Sequence, residues 1–227
     1  KLSCILKYAL DKIPYYRDVV TLSPGLLEND LLNALNCFPL LDKHTINTNL
    51  KRLSHMTAIR GMQVTTGGST GNPLLFYLDR FSSRQREKAF MFDQWSRVGY
   101  RFGDPIFNVR GRMPRAGQFI GHDRFFNIYY VSSIDLNHKN INKYISAMNM
   151  LEPKFLHGYP STLYQLARLM EQTNIDLSFS FQAILFGSEK LYSYQRKTLE
   201  SVFGCRIYSW YGHSEYLVLA GECEHSS

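Results

Sequence analysis

"KFLHGYPSTLYQLARLMEQTNIDLSFSFQAILFG" (154–187) decides how this chain folds. "KFLHG" is an apolar run of strand length. The segment after it, "PSTLYQLARLMEQ", places Leu163, Leu166, Ala167 and Met170 at i, i+3, i+4 and i+7, one stripe of a helix, with Pro160 at its first position. "QAILFG" is a strand again. The alternation continues through "SYQRKTLESVFG", a helix closed by Gly204, into the strand "RIYSWYG". Strand, helix, strand, helix, strand predicts crossover connections, a parallel sheet and an α/β fold. Ligands of such sheets lie outside the carboxyl ends of the strands. Three loops leave those ends: "HGYPS" (157–161), "GSEK" (187–190) and "YGHSE" (211–215). They are expected to converge on one crevice.

Toward the N-terminus, "GMQVT" and "LLFYLD" read as strands on either side of "VTTGGSTGNP" (64–73). "SSRQREKAFMFDQWSRVG" predicts a long helix capped by Ser82 or Ser83, and Tyr100 to Leu136 alternates short strands with Gly and Pro turns. Leu2 to Val20 predicts an amphipathic helix ending near Pro14, with Ile5, Leu6, Ala9, Leu10 and Ile13 on one stripe, and "IPYYRD" irregular after it. A second helix is expected over Pro24 to Leu35, and a loop with a short third over "FPLLDKHTINTNLKRL". The expected division is a helical segment, 1–60, and an α/β core, 61–227.

At 227 residues, 44% hydrophobic and 20% charged, the chain has the composition of a folded, soluble protein. The net charge of +7 is spread out. The nearest cluster is Arg97, Arg101, Arg110, Arg112 and Arg115, which suits an anionic small molecule better than a nucleic acid. The 15 Tyr and 15 Phe fall mostly in apolar-patterned elements, so they are expected in the core. Four cysteines without a C-x-x-C pair point to a reducing compartment, hence the cytoplasm. The apolar runs are too short to cross a bilayer, and no secretory pattern opens the chain. Lys1 is not an initiator Met and "ECEHSS" closes no element, so a fragment of a longer chain is expected.

The glycine-rich stretch has no Lys where a P-loop needs one, and a strand rather than a helix follows it. It is either a hairpin loop or a cradle in which glycine backbone N–H groups and hydroxyls meet an anion. "TTGGSTGNP" resembles the phosphate loop of the adenylate-forming enzymes, "YGHSE" their adenine and magnesium motif, and "FGSEK" the small-residue loop that packs on adenine. Order and rough separations agree. "ILKYALDKIPYYRDVV" and "FPLLDKHTI" are similar to the N-terminal region of the phenylacetate–CoA ligase-like branch, which includes the CapK-type proteins of capsular polysaccharide loci. The resemblance implies the large N-terminal domain of such an enzyme, with mixed and parallel sheets flanked by helices and an N-terminal helical layer.

It also implies roles. Thr65, Thr66, Gly67, Gly68, Ser69, Thr70 and Gly71 would hold the ATP phosphates, with Asn72 standing where many relatives carry Lys. Gly187, Ser188 and Glu189 would line the adenine face, although Glu189 could equally serve a helix N-terminus. Tyr211 would stack on adenine and Gly212 allow its close approach. Glu215 would bind Mg²⁺, and Ser214 would offer a hydroxyl near the α-phosphate. Tyr159, Pro160 and Ser161 would border the acyl pocket, with His213 at its rim. Cys223 and His225 could bind Zn²⁺ if further ligands joined them. His122 and His157 are expected to be structural. The family's catalytic Lys and ribose-binding Asp have no match after Glu215, so this chain alone is expected to adenylate little. The function implied is ATP-dependent activation of a carboxylic acid, then transfer to coenzyme A or another acceptor, with polysaccharide synthesis as a setting. A non-catalytic or truncated nucleotide-binding relative and a nucleic-acid-binding protein are the alternatives.

Overall fold

The computed structural model describes residues 1–55, 60–66, 73–111 and 113–225. They fall into two compact units, Lys1–Gln85 and Arg86–Ser227.

In the first unit, α1 (Leu2–Lys12) gives way to an extended Ile13, and α2 (Pro14–Val19) starts with Pro14 in its first turn. Proline lacks the N–H that would continue α1 and is pre-set to begin a new helix. "IPYYRD", expected to be irregular, is therefore largely helical. The second expected helix is likewise two, α3 (Leu26–Asn29) and α4 (Leu31–Asn36). Asp30 leaves helical geometry between them, and its carboxylate accepts the Asn33 N–H at 3.1 Å. Asp42 caps α5 (Lys43–Thr48) in the same way, accepting from Thr45 N–H at 2.7 Å.

Strands β1 (Gly61–Thr65) and β2 (Leu75–Asp79) pair antiparallel, with Thr65 opposite Leu75. Just beyond, Thr66 N–H donates to Leu74 O (3.0 Å) and Leu74 N–H donates to Thr66 Oγ1 (3.1 Å). Asn47 of α5 braces the same place, donating to Pro73 O and accepting from Leu75 N–H. The glycine-rich stretch thus joins two paired strands, as its pattern predicts. Gly67 to Asn72 lie outside the described residues. Before α6 (Ser83–Ser96), Asp79 Oδ1 accepts the N–H groups of Phe81 and Ser82.

The second unit is built on a seven-stranded sheet. Its elements in chain order are β3 (Ile106–Arg110), β4 (Gly121–Asp123), β5 (Ile128–Ser132), α7 (Ile141–Leu151), β6 (Phe155–Gly158), α8 (Pro160–Thr173), β7 (Ala183–Phe186), α9 (Ser193–Phe203), β8 (Arg206–Gly212) and β9 (Leu219–Gly221). The sheet order is β4-β5-β3-β6-β7-β8-β9. The five inner strands run parallel, and β4 and β9 are antiparallel edges. The three strands of the opening motif are therefore neighbours, as expected. Gly204 ends α9 at φ 62°, a left-handed geometry that glycine adopts without penalty.

Successive residues of a strand face opposite sides. Phe107 and Val109 pack with Leu156, Ile184 and Phe186 against Tyr144, Leu166, Leu199 and other residues of α7, α8 and α9. Ile106, Phe155, Ala183 and Leu185 face Trp95 of α6 and Tyr100 on the other side. Both faces are covered, which is why β6 and β7 read as continuous apolar runs rather than alternating ones. Helix α7 lies in a stretch the sequence pattern left unassigned, although Ile141, Tyr144, Ile145 and Met148 carry the helical spacing. No helix among the described residues is long and apolar enough to cross a membrane.

Candidate functional site

The three strand-end loops meet above β6, β7 and β8. Glu189, in the loop after β7, accepts from both Ser161 N–H (3.2 Å) and Ser161 Oγ–H (2.7 Å) in the first turn of α8. This contact fits one of its two expected roles, at a helix N-terminus, where carboxylate charge meets unpaired N–H groups. Glu189→Ala is expected to cost about 1 kcal/mol in chemical denaturation, and Glu189→Asp to recover part of it. Tyr159 is the residue preceding α8, and the Arg110 guanidinium lies 4.2 Å from its ring centroid. Arg110 also donates to Ser188 Oγ at 3.1 Å. Ser188 has φ 75°, a sparsely populated conformation for a residue with a side chain. Arg110 thus bridges the loops after β6 and β7, a role the sequence did not show.

Beside these loops is a cavity of about 660 Å³, lined by Ser188, Glu189, Trp210, Tyr211, Gly212 and Glu222 among others. Tyr211 and Gly212 reach it from β8, Gly221 and Glu222 from the end of β9. Glu222 accepts from Arg196 and from Ser209 N–H, and Arg196 also donates to Ile207 O. Arg196 and Glu222 therefore hold the end of β8 in place. No motif marks them, because they meet only once β9 pairs with β8. Trp210 fills the space beside two glycines: a Cβ on Gly187 would lie 2.2 Å from Trp210 Nε1, and one on Gly212 would lie 2.2 Å from Trp210 Cζ3. The indole Nε1 is buried and meets no hydrogen-bond partner among the described residues.

The turn after β8 is organised by His213. Val218 N–H donates to His213 Nε2 (3.1 Å), and His213 Nδ1 lies 2.7 Å from Glu215 Oε2. An Nε2 that accepts carries no proton, so the proton sits on Nδ1 and points at Glu215. His213 thereby orients Glu215. Ser214, between them, is half-buried. Among the described residues no group of three or more His, Cys, Asp or Glu could hold a metal ion, and Cys223 and His225 are not drawn into one. A single carboxylate suits Mg²⁺ that is bound mainly through phosphates and water. Burial pushes the Cys205 thiol up to about 12, with Glu200 adding to the effect, so it is no nucleophile.

Thr65 and Thr66 lie in the first unit, and Gly67, Gly68, Ser69, Thr70 and Gly71 are outside the described residues. Thr66 Oγ1 already accepts a backbone N–H.

No protein-family model matches the chain. It is 26% identical over 186 residues to Protein CapK of Staphylococcus aureus, an alignment covering 80% of this chain and 41% of that protein. Among solved structures it is similar to 2-hydroxyisobutyryl-CoA ligase. In the open conformation with 2-HIB-AMP and CoA, the TM-score is 0.61 at 16% identity, covering 93% of this chain and 52% of that one. In the thioesterification state the TM-score is 0.62 at 17% identity, covering 92% and 46%. The chain thus spans about half the length of these relatives or less. The likeness shows the fold, that of the N-terminal domain of the adenylate-forming enzymes, whose mixed sheet and flanking helices the resemblance implied. In sequence the chain is similar to Protein CapK over most of its length, and in fold to 2-hydroxyisobutyryl-CoA ligase over about half of that enzyme.

Proposed function

We propose that this chain carries the nucleotide-binding part of an enzyme that activates a carboxylic acid with ATP. The observation that carries the reading is a cavity lined by Ser188, Glu189 and Lys190 of "GSEK" and by Tyr211 and Gly212 of "YGHSE", with "HGYPS" tied to its edge through the Ser161–Glu189 hydrogen bond and the buried, unpartnered indole N–H of Trp210 among its lining residues. Adenine is assigned to that cavity beside Tyr211, with Gly187, Ser188, Glu189 and Gly212 around it. Phosphates are assigned to Thr65, Thr66 and Gly67 to Gly71, on the strength of the resemblance. Glu215 would hold Mg²⁺, which offsets phosphate charge. Ser214 would reach the α-phosphate, and Tyr159, Pro160, Ser161 and His213 would border the acid. In the reaction, a carboxylate oxygen bonds to the α-phosphorus and the bond to pyrophosphate breaks, giving an acyl-adenylate. Attack by a thiol such as coenzyme A on the acyl carbon then releases AMP. The S. aureus relative's name is the support for a setting in polysaccharide synthesis.

Calorimetric titration with ATP tests the assignment. Tyr211→Ala is expected to weaken binding about tenfold, the scale of one lost ring stack. Glu215→Gln keeps an oxygen for His213 but removes the charge, so its loss should show only when Mg²⁺ is present. ATP affinity unmoved by either change would sink the site. Glu215 is already engaged by His213, which favours a second reading: nucleotide binding without turnover. Pyrophosphate exchange across a panel of acids separates the two readings.

A further inference from the structure

On the α6-facing side of the sheet, above the apolar layer of Ile106, Phe155 and Leu185, lies a polar layer. Asn108 of β3 is the register partner of His157 of β6, and Arg110 follows two residues on, on the same side of β3. His157 is 95% buried, and Trp95 meets its ring edge-on with centroids 5.3 Å apart. Asn108 Oδ1, His157 Nε2 and Arg110 Nε are each buried, and none has a hydrogen-bond partner among the described residues. Three such atoms side by side are unusual, since each carries the cost of lost hydration. A sheet built only for stability would place aliphatic side chains here, as it does one layer below. Together the three atoms offer an acceptor, a fixed donor on Arg110, and a neutral imidazole nitrogen of either kind. A hydroxyl, which donates and accepts at once, is complementary to that set, whereas a bare hydrocarbon is not.

We propose that Asn108, His157 and Arg110 form a hydrogen-bonding subsite for the non-reacting end of the acid, and that the acid taken by this protein carries a hydroxyl there. The inference rests on the acid-activating reading above. It replaces the purely structural role expected for His157. Arg110 is held at its other end by Ser188 and Tyr159, which leaves Nε fixed in direction.

The experiment titrates matched acids, with and without a hydroxyl, in the presence of AMP: lactate against propionate, 3-hydroxybutyrate against butyrate, 4-hydroxyphenylacetate against phenylacetate. In at least one pair the hydroxylated member should bind about tenfold tighter or more, because a buried site built for a hydroxyl rejects its absence. Asn108→Leu and His157→Phe should remove that preference and, in the unliganded protein, raise the thermal midpoint, since each relieves an unpaired buried atom. A merely structural polar layer gives the opposite: lower midpoints with the preference unchanged. Equal binding within every pair, or no acid binding while AMP still binds, overturns the subsite. Failure to bind AMP or ATP at all overturns the reading beneath it.

Discussion

Gly187→Ala is expected to cost about 2 kcal/mol in stability and to lower ATP affinity at least tenfold. One methyl group has this effect because of what stands next to it. The added Cβ would lie 2.2 Å from Trp210 Nε1 and 2.7 Å from Cε2, well inside van der Waals contact. These are atoms of a rigid ring, not the end of a flexible chain, so the indole as a whole must tilt. It cannot tilt freely, since its far edge packs so close over Gly212 that there is no room even for a Cβ there, and Phe90 lies beside it at 6.2 Å between centroids. The remaining direction is into the cavity. Denaturant unfolding of a double-mutant cycle checks this: in a Trp210→Ala background the alanine at 187 should cost less than about 0.5 kcal/mol. An equal cost in both backgrounds would show that Gly187 serves something other than the indole.

Between pH 6.5 and pH 5 the protein should lose about 2 kcal/mol through His157 alone. Burial lowers its pKa from 6.5 to about 3, and the Arg110 guanidinium adds to the depression. The folded state therefore keeps His157 neutral while the unfolded chain takes up a proton below pH 6.5. Protons favour the unfolded state across that window, so stability is complete above about 6.5 and declines as the pH falls toward 3. The ring faces Trp95 from α6, and Asn108 and Arg110 from β3, with no carboxylate among these neighbours to offset the charge. Other groups also titrate as the pH falls, so the readout is a difference. His157→Phe should show a shallower decline over the same range, by about 2 kcal/mol at pH 5. Parallel curves for wild type and variant would show that water or rearrangement solvates the imidazolium.

Much of the fold was legible because it is written in local spacing. The stripe of Leu163, Leu166, Ala167 and Met170 gave α8, Gly204 gave the end of α9, and "RIYSWYG" coincides with β8. The errors came where a side chain competes with the helix: Asp30 divides one expected helix into two, and Pro14 begins a helix where an irregular segment was expected. Strand β9, three residues long, has no periodicity of its own and exists through its pairing with β8.

For the site the division is similar. The sequence by itself determined the parallel sheet, the three strand-end loops and the residues they carry, because backbone periodicity and turn chemistry act over a few neighbouring residues. Only the tertiary structure decided what those residues touch. It brought Glu189 to the start of α8, set His213 against Glu215, and brought Arg196 to Glu222 across 26 positions of chain. It also placed Trp210 against Gly187, and Asn108 beside His157 on neighbouring strands. Apart from the His213–Glu215 pair, these contacts join residues distant in sequence, and their energies come from burial and hydrogen bonding that exist only once the strands have paired.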